Sequence, residues 1–174
     1  MTVQEDSTLA DVREPQTAKR TRLGRTAALA FVALLVIVGA AGLLGVHTRA
    51  TSVSANGYKL TVVYPQVARA GQDIPWRATV THPGGFGNQD VTIAVSSHYF
   101  DIMETQGWHP EPDQETATPN FYYLTFTAPP GDTLEVSYDT YIQPSAQLGR
   151  HADTVVIVDN KEVVRTSYRT WLVP

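Results

Sequence analysis

His98, Met103 and His109 fall within twelve residues and together offer imidazole nitrogen and thioether sulfur, a donor set that suits copper. Asp101, Glu104, Glu111, Asp113 and Glu115 lie in or beside the same stretch and offer the carboxylate oxygens that calcium takes. Neither set has the spacing of a known site. The pattern D-x-[DN]-x-[DN]-G of a calcium loop does not occur, the copper donors are irregular, and a solvated acidic loop accounts for the carboxylates. The expectation is no metal and no cofactor. A metal site, if one were built, would have to draw on His98, Met103, His109, Asp101 and Glu104.

Covalent catalysis has no clearer candidates. The chain has no cysteine, which removes thiolate nucleophiles, disulfides and zinc-thiolate sites, and no G-x-S-x-G elbow presents a serine. Ser97 and His98 are neighbours on an expected strand, where adjacent side chains point to opposite faces and cannot share a proton. Acidic residues are plentiful enough to supply a carboxylate pair for glycoside cleavage, but a small sheet protein does not readily build the deep cleft that this chemistry needs. The chain is expected not to be an enzyme.

Binding chemistry is better represented. Tyr99, Phe100, Trp108, Phe121 and Tyr123 flank the segment Asp101–Asn120, at a density well above the aromatic content of 9% for the whole chain. Aromatic rings at strand positions fill cores, and they also stack on sugars and anchor protein interfaces. Both readings stay open at this point. Trp171 poses the same choice at the end of the chain, as a sheet terminus or as a contact toward a membrane. The segment 101–120 itself is longer than most connections in compact domains, as binding loops often are, and part of it could form an extra edge strand.

The elements that must carry these residues begin with Thr26–Val46, a run of 21 residues without a charged, amide or proline side chain. At 1.5 Å per residue a helix of this length spans about 31 Å, close to the ~30 Å hydrocarbon core of a bilayer. Lys19, Arg20, Arg22 and Arg25 precede it, and only Arg49 and Lys59 follow within fifteen residues, so the positive-inside rule puts the N-terminus in the cytoplasm. Small residues at Val53-Ser54-Ala55 resemble a signal-peptidase site. The apolar run is longer than a typical signal core, which favours an uncleaved anchor. The expected layout is a disordered cytoplasmic tail over 1–25, a transmembrane helix over 26–46, a linker over 47–57 and one extracytoplasmic domain over 58–174.

Charge divides unevenly along this layout. The net charge is −4, but residues 50–174 hold seven Lys/Arg against thirteen Asp/Glu, a balance of −6. With no basic stripe to neutralise phosphates, nucleic acid is excluded as the partner of that domain.

Within the domain, apolar residues alternate with period two. Leu60, Val62 and Tyr64 form one face of a strand that Pro65 should end, and Ile74, Trp76, Ala78 and Val80 form one face of the next. Val91–Val95, Tyr122–Phe126, Leu134–Ile142 and Val155–Val158 continue the series. Asp159-Asn160-Lys161 supplies a tight turn before a long final strand over Val163–Val173. About seven short strands with no helical period between them predict an all-β fold, an antiparallel Ig-like β-sandwich. The layout resembles the immunoglobulin and fibronectin-type modules that bacteria place outside the membrane. PPGDTL (Pro129–Leu134) and YRTWLVP (Tyr168–Pro174) are similar to segments of membrane-anchored β-sandwich proteins of bacteria. That likeness implies an anchor and a fold, and it brings no activity with it. The expected function is a membrane-anchored accessory or interaction module with a membrane or envelope protein as partner. A metal- or saccharide-binding domain using the 101–120 loop is the alternative.

Overall fold

The computed structural model describes residues 17–40 and 46–173, and within them the side chains of all but residues 17–20 and 105. The chain divides into two units, Met1–Gly45 and Val46–Pro174. In the first, helix α1 (Thr17–Ala40) has the length and apolar composition to cross a membrane over Thr21–Ala40. It starts earlier than the hydrophobic run requires, so Lys19, Arg20, Arg22 and Arg25 belong to the helix, not to a disordered tail. The rest of the expected tail, residues 1–16, lies outside the described residues. So do residues 41–45 of the expected span. Val46, expected to close that span, packs against the sandwich core instead.

The second unit is an antiparallel Ig-like β-sandwich of eleven strands: β1 (His47–Ala55), β2 (Tyr58–Ala68), β3 (Asp73–Thr81), β4 (Val91–Ser96), β5 (Met103–His109), β6 (Gln114–Ala117), β7 (Phe121–Phe126), β8 (Thr133–Ile142), β9 (His151–Val158), β10 (Lys161–Arg169) and β11 (Trp171–Leu172). A single short helix, α2 (Ser97–Phe100), follows β4. One sheet runs β1-β2-β3-β8-β5, with β11 added in parallel to β2, and the other runs β10-β9-β4-β7-β6. Every second residue of β3 and β8 is buried, as period-two side chains must be when one face meets a partner sheet.

Three sequence expectations are corrected here and one is extended. The segment 47–57 is no linker, because residues 47–55 form β1 and pair along the whole length of β2, with Asn56-Gly57 turning between them at positive φ. Pro65 does not end its strand. It comes after Val63, the last β2 residue paired with β3, so the N–H it lacks removes nothing from that ladder. Segment 101–120, where part of the loop is expected to form an extra edge strand, contains two edge strands, β5 and β6, which join opposite sheets. The final strand breaks at Thr170, where the chain passes from β10 in one sheet to β11 in the other.

The core centres on Trp76, 1% exposed, and on a set of buried hydrogen bonds that tie the sheets together. Trp76 Nε1 donates to Tyr168 Oη at 2.8 Å, and Tyr168 Oη lies 3.0 Å from Thr154 Oγ1. Thr170 Oγ1 donates to the Pro65 carbonyl at 2.7 Å, which leaves Tyr99 Oη to donate to Thr170 Oγ1 at 2.8 Å. Burial holds the phenols of Tyr99 and Tyr168 above their ordinary range. Neutral hydroxyls that satisfy one another are the form in which polar groups sit cheaply in an apolar interior.

The two ends of the sandwich differ in charge. At the end where residue 46 enters, Arg69, Arg150 and Arg169 stand with Asp73 and Asp101. Loops at the far end carry Asp90, Glu111, Asp113, Asp132 and Asp159, with Lys59 and Lys161 on the adjoining strands.

Candidate functional site

Each sheet has two edge strands, so the sandwich has two long sides, one between β1 and β10 and one between β5 and β6. The β1/β10 side is laced shut. Thr51 Oγ1 meets Thr166 Oγ1 at 3.3 Å, Asn56 Nδ2 donates to the Val163 carbonyl at 2.9 Å, and the Tyr64 and Tyr168 rings pack with centroids 4.6 Å apart.

The β5/β6 side is open. A cleft of about 550 Å³ runs between the two edges, lined by Gly107, Trp108 and His109 of β5, Glu115 and Ala117 of β6, Tyr122 of β7, Tyr138 of β8 and Ser97 and Phe100 of α2. Its wall is aromatic. Trp108 stacks on Tyr138 with centroids 3.9 Å apart and planes 23° apart, and Phe100 meets Trp108, Tyr138 and Tyr122 edge-on at 5.6, 5.3 and 6.0 Å. Edge-to-face and offset contacts of this kind fix ring positions beyond simple burial. Phe100 and Tyr122 remain half-exposed and present apolar surface to the opening.

Local sequence explains the geometry. In β5 the register shifts between Thr105 and Gly107, so Met103 and Trp108 both face inward although five positions apart. Gly107 adopts φ 156°, a backbone conformation that L side chains rarely take. In β7, period two puts Tyr122, Leu124 and Phe126 on the inner face. β6, too short and polar to roof Tyr122, leaves it at the rim, where its hydroxyl donates to Glu115. Burial first, and then the Glu115 hydrogen bond, push the Tyr122 phenol up to about 12. Glu111 and Glu115 give the rim negative charge, and His109 Nε2 lies 3.4 Å from the Asp139 carboxylate.

The expected aromatic patch divides three ways. Phe100 and Trp108 meet in the cleft. Tyr99 is fully buried beneath them and has no surface to offer a ligand, because its hydroxyl is committed to Thr170. Phe121 and Tyr123 lie on the outer face of the second sheet, 6.2 Å apart, with the Arg165 guanidinium 5.8 Å from the Phe121 ring. Tyr122 and Tyr138 complete the cleft wall from inward-facing positions of β7 and β8, where period-two alternation predicts nothing more than an apolar face. Alternation identifies an inward face, but it does not show where that face runs out from under its partner sheet.

The metal candidates do not converge. Met103 is buried in the core, His98 and Asp101 are exposed on and after α2, and His109 faces Asp139. Glu104 hydrogen-bonds Tyr141, which raises that phenol's pKa. Among the described residues, no three His, Asp or Glu side chains are grouped to hold a metal ion. Ser97 and His98, expected on a strand, sit on α2, and Ser97 Oγ donates to the Thr118 carbonyl at 2.9 Å.

No family model matches this chain, and neither does any curated protein. Among solved structures, a collagen-binding domain from a Staphylococcus aureus adhesin is 12% identical with a TM-score of 0.41, covering 70% of this chain and 100% of that one. A non-cellulosomal cohesin from Archaeoglobus fulgidus is 12% identical with a TM-score of 0.39, covering 73% and 91%. The collagen-binding subdomain ACE19 of an Enterococcus faecalis surface protein is 14% identical with a TM-score of 0.32, covering 64% and 96%. Scores of this size carry no inference about ligands, and the fold assignment rests on the two sheets themselves.

Proposed function

We propose that this chain is a membrane-tethered, extracytoplasmic interaction module that binds without catalysis and receives a protein partner in the cleft between β5 and β6. The observation that carries the reading is an aromatic cleft that lies open between the edge strands β5 and β6. Apolar concavity beside free backbone donors and acceptors is what an extended segment needs to dock as an added strand. The carboxylates of Glu111 and Glu115 favour a segment that flanks an apolar side chain with Lys or Arg. Tethering is supported by α1, and the cations at its start favour a cytoplasmic N-terminus.

Affinity isolation of the full chain from gently solubilised membranes tests this. A stoichiometric partner should be recovered with the natural sequence and lost with Tyr122→Ala and with Glu115→Lys, while Thr61→Lys on β2, between β1 and β3, retains it. Recovery of the bare chain, or a partner indifferent to the cleft variants, would count against the proposal.

A second reading has one observation in its favour. Trp108 and Tyr122 lie with planes 22° apart and centroids 6.3 Å apart, and carboxylates and a serine hydroxyl sit beside them, which is chemistry that also suits a saccharide. Calorimetry against a panel of glycans separates the two. Saturable glycan binding that Tyr122→Ala abolishes would favour sugar over protein, and a selective ligand must also raise the melting temperature.

A further inference from the structure

The anchor end of the sandwich differs from every other part of its surface. Outside α1, the large apolar residues exposed among the described ones are Val53 (37%), Leu148 (73%), Trp171 (51%) and Val173 (38%). Three of the four gather where residue 46 enters. Trp171 and Leu172 pair with the last residues of β2, across that strand from His47 of β1, and Val173 N–H donates to the Ala68 carbonyl at 3.0 Å. Gly149 lets the loop bearing Leu148 press onto the same place, since an added Cβ would stand 2.0 Å from the Thr170 carbonyl oxygen and 2.9 Å from Trp171 Cα.

Cations ring this apolar group. The Arg169 guanidinium lies 3.8 Å from the Trp171 ring centroid, and Arg150 is held alongside by the bond from Thr170 N–H to its carbonyl. Arg69 follows β2 directly, and its Nε is buried without an acceptor, so only the outer end of its guanidinium is placed to reach outward. Among the described residues, Arg69, Arg150 and Arg169 form no ion pair, whereas Arg77 and Arg165 on the sheet faces are each paired with carboxylates. The far end, with its five loop carboxylates, has the opposite character.

We propose that this end of the domain docks on the anionic lipid surface of the leaflet to which the chain is tethered, with Trp171, Leu148 and Val173 at headgroup depth and Arg69, Arg150 and Arg169 on lipid phosphates. An indole with exposed edges is suited to the boundary between headgroup and acyl chain, and guanidinium groups beside it add attraction to anionic lipid. The proposal rests on the reading of α1 as an anchor.

Tryptophan emission of the full chain in vesicles tests it, because α1 contains no tryptophan while Trp76 and Trp108 are 1% and 8% exposed. Phospholipids brominated near the headgroup, mixed with phosphatidylglycerol, should quench about a third of the emission, the share of one tryptophan in three. That quenching should vanish in Trp171→Phe. It should also weaken severalfold in a triple Arg69→Gln, Arg150→Gln, Arg169→Gln variant, in zwitterionic lipid alone, and in 1 M salt, where the screening length falls to about 3 Å. A chain that resists carbonate extraction and shows no quenching would overturn the docking while leaving the anchor intact. Release of the chain by carbonate would end both.

Discussion

Along β1 and β10 the two sheets are joined by Thr51 and Thr166, by Asn56 on the Val163 carbonyl, and by Tyr64 packed on Tyr168. Along β5 and β6 the same two sheets end with rings that no strand covers. The first side uses its aromatic and hydroxyl groups on one another. The second leaves Tyr122 and Phe100 half-satisfied by the fold and available to something else. A sandwich closed on both sides would bury these rings, and in the proposed function it is a partner that covers them.

Mutation can break this comparison, and the largest effect belongs on the closed side. Tyr168→Ala removes a ring buried against Tyr64 and Tyr99 and strands Trp76 Nε1, so it should cost about 3–5 kcal/mol in urea unfolding. Tyr168→Phe keeps the ring and deletes only the shared hydroxyl. It should cost about 1–3 kcal/mol, the penalty for buried donors left without a partner. The matching change on the open side, Tyr122→Phe, removes a hydroxyl bonded to Glu115 at a half-exposed rim and should stay within about 0.5 kcal/mol. Equal costs for the two Tyr→Phe variants would erase the distinction between the sides.

An alkaline titration sharpens it further. An unfolded tyrosine ionises near about pH 10. The folded chain holds the Tyr122 proton more tightly, so the stabilisation from that group is complete below about pH 10 and is lost as pH rises through about 12. Phenolate absorbance should show Tyr99 and Tyr168 ionising only on unfolding, and Tyr122 late but reversibly. Tyr122→Phe should shrink the reversible late component, to which Tyr141 also contributes, and leave the cooperative one. On the closed side, Thr51→Ala deletes a part-buried hydroxyl pair and should lower stability by about 0.5–1.5 kcal/mol, between the two Tyr→Phe variants, with no effect on binding.

The closed core was legible in the sequence, and the open side was not, for the same physical reason. β3 and β8 alternate cleanly because each has sheet neighbours on both sides and one face fully buried. β1 was missed because an edge strand whose contacts run through Thr51 and Asn56 has no apolar period to show. β6 is Gln-Glu-Thr-Ala with every residue exposed, and in β5 the bulge before Gly107 breaks the alternation that would have announced a strand. The cleft aromatics Phe100 and Trp108 were singled out by composition. Their separation from Phe121 and Tyr123 depends on the parity of β7 and on which sheet each strand joins, which composition does not encode. Asp159 and Asn160, by contrast, adopt the positive φ that their turn demanded.

The account stands on the open side being the one that meets a partner, and site-specific photocrosslinking tests that directly. A photoreactive residue placed at Thr118 on the cleft rim and, separately, at Thr61 beside the closed side would be activated in intact membranes carrying the full chain. The account predicts one discrete adduct from position 118, absent when Tyr122→Ala is added, and none from position 61. Adducts from position 61 alone, or from both positions and unaffected by Tyr122→Ala, would contradict it.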